Sequence, residues 1–343
     1  MKDINVVTES ECKMAQLIKL QDYISRYQVD LTRYPTQFTR LKKGQWDRVK
    51  KQWEQGEEVQ QWEHIEEEAD VARFARLKKF FPKRFRKEQL EEDIESVDYT
   101  NDLTEDVYEP TEETALHFEA NILYQPKTLP ELKKMYLDQF FHFQMKWASS
   151  TLREKSYIEP KFLRDTFLKS ILQSLPDNYL IFYYPIVKLK KAPIELDIII
   201  MTPTECLCIT MIENENQAVY VGNSERFWLK KVGTTDKKVL NPMIQLDRME
   251  TIVKQIFTNE QVEMPIRKVL LSRNGYIDYP GSMYNVQIVD KRHFVEWMET
   301  IRRSASPIKH MQIRAAQSIL NHVQTTSFNR DIWQNPEEEE EQS

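Results

Sequence analysis

Apolar positions in the second half of the chain switch between two periods. From 160 to 175, Phe162, Leu163, Phe167, Ile171, Leu172 and Leu175 recur at three- and four-residue intervals, which predicts one face of a helix. Pro176, Asp177 and Asn178 then turn the chain. Past them the helical period collapses. Residues 179–189, 194–201 and 205–212 are dense runs of aromatic and β-branched side chains, which predict a three-stranded meander with turns at 190–193 and 202–204. Shorter strand-like runs follow at 217–221 and 226–230. Helical spacing returns over 242–257 through Ile244, Met249, Ile252, Val253 and Ile256. Strands are expected at 267–272 and 286–289, and helices at 291–303 and 312–323.

The first half reads differently. Met14, Leu17, Ile18, Ile24 and Tyr27 roughly follow helical spacing, so 10–87 is expected to be helical. Pro35 separates a first helix from a second through Trp46, Val49 and Trp53, and a third covers 59–81. Trp46, Trp53 and Trp62 suit core packing or a protein partner better than a cofactor. Leu132, Met135, Tyr136, Phe140, Phe143 and Trp147 predict a further helix over 130–150. The expected class is α/β in the C-terminal half, a mixed sheet flanked by helices, with a mainly α-helical N-terminal region. The expected layout is a helical region at 1–87, an acidic linker at 88–128 and a connecting helix at 129–156. A mixed-sheet domain at 157–303 and a C-terminal helix with an acidic tail at 304–343 complete it.

Composition removes several function classes. Six glycines in 343 residues, with no GxGxxG and no GxxxxGK[ST], argue against a Rossmann or P-loop nucleotide site. No window approaches the 18 or so apolar residues of a membrane span. The acidic start MKDINVVTESE lacks the apolar core of a signal peptide. Cys206 and Cys208 would share one strand face, a poor geometry for a mutual disulfide. Buried thiols in a reducing, cytoplasmic compartment follow.

The net charge of −6 hides segregation. Residues 71–87 hold Arg73, Arg76, Lys78, Lys79, Lys83, Arg84, Arg86 and Lys87 without an acid, interleaved with phenylalanines. The first six are candidate nucleic-acid contacts; a solvated helix face is the competing explanation. Residues 88–113 follow with twelve acids and no Lys or Arg, and 337–341 are all Glu. The remainder of the chain carries +11. The acidic run is expected to be a loosely held linker.

One ordered set of residues carries chemistry. Leu175-Pro176 closes the first helix, with Asp165 ten residues before Leu175. Glu195-Leu196-Asp197-Ile198-Ile199-Ile200 makes a strand, Thr202-Pro203-Thr204 a turn. Trp228 and then Asn241-Pro242-Met243-Ile244-Gln245 open the second long helix. In this order they resemble the nuclease-related domain (NERD) family, a branch of the restriction-endonuclease-like fold. The resemblance covers 157–300. It implies Mg²⁺-dependent phosphodiester cleavage, with Asp197 and Asp165 as metal ligands and Trp228, Asn241 and Gln245 as family positions; Glu195, on the same strand face as Asp197, is a candidate second carboxylate. Such a metal polarises the phosphate and generates the nucleophile, while a lysine steadies charge.

One strand departs from the family pattern. Where Ile-Glu-x-Lys is expected, the chain reads Ile209-Thr210-Met211-Ile212. Thr210 replaces the acid and Ile212 the lysine. Glu213 follows, on the face opposite Thr210 if the strand runs on regularly. Three functions are compatible with this: a nuclease-like domain that binds nucleic acid, DNA above all, but cuts little; a working Mg²⁺ nuclease with a rearranged site; and an interaction scaffold whose N-terminal helices bind a protein. None of them involves a membrane.

Overall fold

A computed structural model describes residues 12–55, 118, 120–122, 124, 126–189, 192–213, 217–280, 285–303 and 306–329. The expected helix at 59–81, Trp62, the basic cluster from Arg73 to Lys87, the acidic run at 88–113 and the terminal glutamates lie outside the described residues.

In chain order the first elements are β1 (Gln16–Leu20), a 3₁₀ turn (Arg26–Gln28), α1 (Tyr34–Gln55) and α2 (Leu129–Trp147). Next come β2 (Glu154–Lys155), α3 (Pro160–Leu163), α4 (Thr166–Ser174), β3 (Leu180–Tyr183), β4 (Ile186–Lys188), β5 (Pro193–Glu195) and β6 (Ile198–Met201). Then follow β7 (Cys206–Met211), β8 (Val219–Val221), β9 (Phe227–Val232), β10 (Thr235–Leu240) and α5 (Pro242–Asn259). The series ends with β11 (Ile266–Leu271), β12 (Tyr276–Asp278), β13 (Val286–Val289), α6 (Phe294–Arg302), α7 (His310–His322) and β14 (Phe328–Asn329).

A six-stranded mixed sheet runs β1-β3-β6-β7-β11-β13. β3, β6 and β7 form the antiparallel meander, and β11 then joins β7 in parallel. The inner strands are buried over nearly every residue, because α5 packs on β7 and β11 while α7 packs on α5 and β6. A strand covered on both faces reads as a continuous apolar run, which is why Ile198-Ile199-Ile200-Met201 shows no alternation. Cys206 and Cys208 are free, buried and adjacent on β7. A second sheet, β10-β9-β8-β12, stands beside the first. None of the described helices is long and apolar enough to cross a membrane.

Several elements depart from the expected pattern. Residues 16–20 are a strand, not a helix, and lie parallel to β3 with all five side chains buried. A short apolar run fits either period, and here pairing with an open sheet edge decides it. The segment is fixed further by Asp177, whose Oδ1 accepts the Met14 N–H at 2.7 Å and pairs with the buried Lys42 ammonium. So a strand from the N-terminal region completes the sheet of the C-terminal half. Among the described residues of that region α1 is the long helix, with Pro35 in its first turn and Trp46 tilted against Tyr136 of α2, ring centroids 5.3 Å apart.

The helix expected over 160–175 is two, α3 and α4, because Asp165 caps the second. The strand expected over 179–189 breaks at Tyr184, which has φ 51°, and at Pro185, which has no N–H to give a ladder. Its partner breaks opposite, at Leu196-Asp197. β10 and β12 had no apolar run to announce them; all but one residue of β10 are exposed.

Candidate active site

Asp197 lies at that double break, between β5 and β6. Its carbonyl accepts the Tyr184 N–H at 3.2 Å, so the backbone pairing continues across the kink. Its carboxylate Oδ2 accepts the Thr210 hydroxyl at 2.6 Å from the neighbouring strand β7. The Gln245 side chain, from the second turn of α5, also bonds to the Asp197 carboxylate. Burial raises the Asp197 pKa, and these two hydrogen bonds oppose the rise only in part.

Asp165 is committed differently. Its Oδ1 accepts the N–H groups of Phe167 and Leu168, at 2.9 and 3.0 Å, capping α4. Its Oδ2 accepts the hydroxyl of Tyr183 at 2.5 Å. Burial, and then this bond to a carboxylate, hold the Tyr183 hydroxyl far above its usual pKa. Tyr184 stands among the acids. Its pKa is pushed up to about 12, first by burial and then by the charges of Asp197, Asp165, Glu195 and Glu213. Glu195 is on β5, exposed, and accepts from Gln21 Nε2 at 3.3 Å.

Glu213 is held by Arg273. The Arg273 Nε donates to both carboxylate oxygens at 2.8 Å, and its Nη2 lies 2.7 Å from Oε2. The Arg273 guanidinium also sits 4.8 Å from the Phe167 ring centroid. Tyr183, Tyr184 and Arg273 went unnoticed in the sequence. Arg273 had one signal, a cation just past the strand paired with β7.

These residues do not fit a three-carboxylate magnesium centre. Asp165 spends its oxygens on a helix cap and Tyr183, and Glu213 spends its own on an arginine. Among the described residues no three His, Cys, Asp or Glu side chains converge as a metal site needs.

The comparison with known families decides what this segment is. The model of the nuclease-related domain family, NERD, matches residues 161–272. Those residues form a nuclease-related domain. The match takes in Asp165, Asp197, Thr210, Trp228, Asn241 and Gln245, and leaves β1, α1 and α2 outside. A stretch of 41 residues is 54% identical to an RNA 2',3'-cyclic phosphodiesterase of Geobacillus stearothermophilus, covering 12% of this chain and 13% of that protein. No solved structure matches the chain.

Within the matched segment Trp228 and Asn241 tie the second sheet to α5, and Gln245 reaches Asp197. Trp228 is buried, donates its indole N–H to the Asn223 carbonyl at 3.0 Å, and stacks on Tyr279 with ring centroids 5.4 Å apart. Gly222 makes room for that stack: a Cβ there would lie 2.6 Å from Tyr279 and 2.8 Å from Trp228. Asn241 caps α5 through the Met243 N–H, and its own amide donates to the Glu225 carbonyl at 2.8 Å. Pro242 follows at the first helical position, where its missing N–H costs nothing. Gln245 is thereby aimed at Asp197.

Asp197→Asn tests the burial argument. The folded-state pKa of Asp197 is raised, so the ionised carboxylate destabilises the fold above that pKa, and protonation relieves it below. The variant should be more stable than the parent in denaturant unfolding at neutral pH. The gain should vanish as pH falls through the Asp197 pKa. A gain constant across that range would assign it to something other than charge.

Proposed function

We propose that this nuclease-related domain binds nucleic acid, DNA in the first instance, and cleaves it little or not at all. The observation that carries the reading is the 2.6 Å bond from Thr210 to Asp197. At the position where the resemblance calls for a second carboxylate, a hydroxyl satisfies the first one. Ile212, half-buried where the lysine would stand, offers nothing to a phosphate oxygen. Losing one such electrostatic group costs about a hundredfold or more in rate. An antiparallel meander followed by a parallel strand under α5 supports a restriction-endonuclease-like reading of the sheet with a degenerate site. The bidentate Glu213–Arg273 pair speaks against a rearranged magnesium site built on Glu213. Buried, free Cys12, Cys206 and Cys208 accord with a cytoplasmic setting.

The test is a pair of assays on the unmodified chain. Labelled DNA should bind with an affinity that falls as salt rises, and Mg²⁺ or Mn²⁺ should not produce cleavage above background. Robust metal-dependent cleavage that Asp197→Ala abolishes would overturn the reading, and Glu195 would then be the first replacement ligand to examine.

A further inference from the structure

The β9–β10 hairpin has a face that the core does not use. The two strands meet at a two-residue turn, Gly233-Thr234, where Gly233 has φ 56°, a conformation that suits glycine at the first position of a tight hairpin turn. Register pairs Phe227 with Leu240, Leu229 with Lys238 and Lys231 with Asp236. Alternation puts these six side chains on one face, and Trp228 with Val239 on the other. The Trp228 face is packed against Tyr279. The Phe227 face is open: Phe227 is 46% exposed and Leu240 55% exposed, with Lys231 and Lys238 exposed beside them. Arg226 stacks its guanidinium over the Phe227 ring at 5.7 Å from the centroid. Ile244, 46% exposed, follows four residues after Leu240 in the first turn of α5.

Exposed apolar side chains that adjoin one another, as the cross-strand partners Phe227 and Leu240 do, mark an interaction surface, whereas scattered single ones do not. The charge says which partner. Residues 226–240 hold five Lys and Arg against one acid, a net +4 in a chain whose total is −6. A second copy would bring the same positive hairpin to the interface and repel. A polyanion with flat, stackable groups complements both properties at once: bases on Phe227, phosphates on Arg226, Lys231 and Lys238.

We infer that the Phe227 face of the β9–β10 hairpin is a docking surface for single-stranded nucleic acid. This deepens the nucleic-acid reading proposed above and rests on it. The hairpin leads without a break into Asn241 and α5, whose Gln245 contacts Asp197. The hairpin is thus continuous with the helix that reaches the candidate site. Stacking on an aromatic is tolerant of sequence, because every base has a π-face, so the surface selects single strands over duplex rather than one sequence over another.

The experiment titrates fluorescein-labelled oligothymidine, oligouridine and a DNA duplex into the full chain, into Phe227→Ala and into a Lys231→Glu/Lys238→Glu double variant. Phe328→Ala, at an exposed aromatic 55% accessible on β14, is the control. Thermal unfolding of each variant confirms that the fold is kept, which the exposure of every altered side chain favours. Phe227→Ala should weaken single-strand binding roughly tenfold. The double variant should weaken it and flatten its salt dependence, and Phe328→Ala should change neither. Oligothymidine against oligouridine separates DNA from RNA as the source of the strand. Binding by the full chain that neither hairpin variant alters would overturn this inference and leave the proposed function standing. No binding at all would remove both. Tighter binding to duplex than to single strands, or a dimer that Phe227→Ala dissociates, would also overturn it.

Discussion

Relative to Lys19→Met, the unmodified chain should gain roughly 3 kcal/mol or more of unfolding free energy as pH increases from about 7 toward about 10. Lys19 lies on β1 with its side chain fully buried. Its ammonium donates to the Tyr23 carbonyl at 2.6 Å, to Gln28 Oε1 at 3.0 Å and to Thr325 Oγ1 at 3.1 Å. Three neutral acceptors satisfy the hydrogen bonds but leave the charge poorly compensated. Burial lowers the Lys19 pKa to about 7; Asp22 opposes the shift and Lys188 adds to it.

The sign follows from proton counts. The unfolded chain binds a proton at Lys19 up to a pKa of 10.5, and the folded chain only up to about 7. Between those values the unfolded state holds the extra proton, so stability climbs with pH. Below about 7 both states are protonated and the full burial penalty stands. Tyrosines and cysteines titrate in the same window, so the quantity to measure is the difference between the wild-type and Lys19→Met curves in denaturant unfolding. Parallel curves would show that Lys19 keeps an ordinary pKa. The same contacts tie β1 to Thr325 near the C-terminal strand β14, so loosening them should expose both segments together to hydrogen exchange.

The second large effect concerns catalysis. Thr210→Glu together with Ile212→Lys should raise Mg²⁺-dependent DNA cleavage about a hundredfold over the unmodified chain. Position 210 already touches the Asp197 carboxylate, and 212 lies two residues on, just past the end of β7. Ile212 is only half-buried, so a lysine there keeps its head in water while its stem packs. A glutamate at 210 also sets two carboxylates side by side, which repel unless a cation joins them. The double variant should therefore be less stable than the parent without metal and recover on adding Mg²⁺, a readout independent of turnover. Adding Asp197→Ala should cancel both gains. A folded double variant that neither responds to Mg²⁺ nor cuts would show that Asp197 is not a metal position in this domain.

The chain's own order of residues determined the central meander, α5 and the resemblance of 161–272 to the nuclease-related domain. Continuous runs such as Ile198–Met201 can be satisfied only inside a sheet covered on both faces, and Asn241-Pro242 can hardly do anything but start a helix. The resemblance through Asp197, Trp228 and Asn241-Pro242 needed no coordinates, because those residues are spaced along one chain. That Thr210 and Ile212 stand where the resemblance calls for an acid and a lysine was likewise read from the sequence alone. What the sequence left open was every decision made between segments distant in the chain. The run at 16–20 fits helix or strand equally, and only the free edge of β3 made it a strand. Two breaks facing each other, at Tyr184-Pro185 and Leu196-Asp197, turned long strands into short ones and set Tyr184 among four acids. Glu213 looked like a spare carboxylate until β11 brought Arg273 to it from 60 residues away. Local propensity fixes elements whose stability is internal to a segment. Which carboxylate is spent on a cation, a cap or a hydroxyl is fixed only by what the folded chain places beside it.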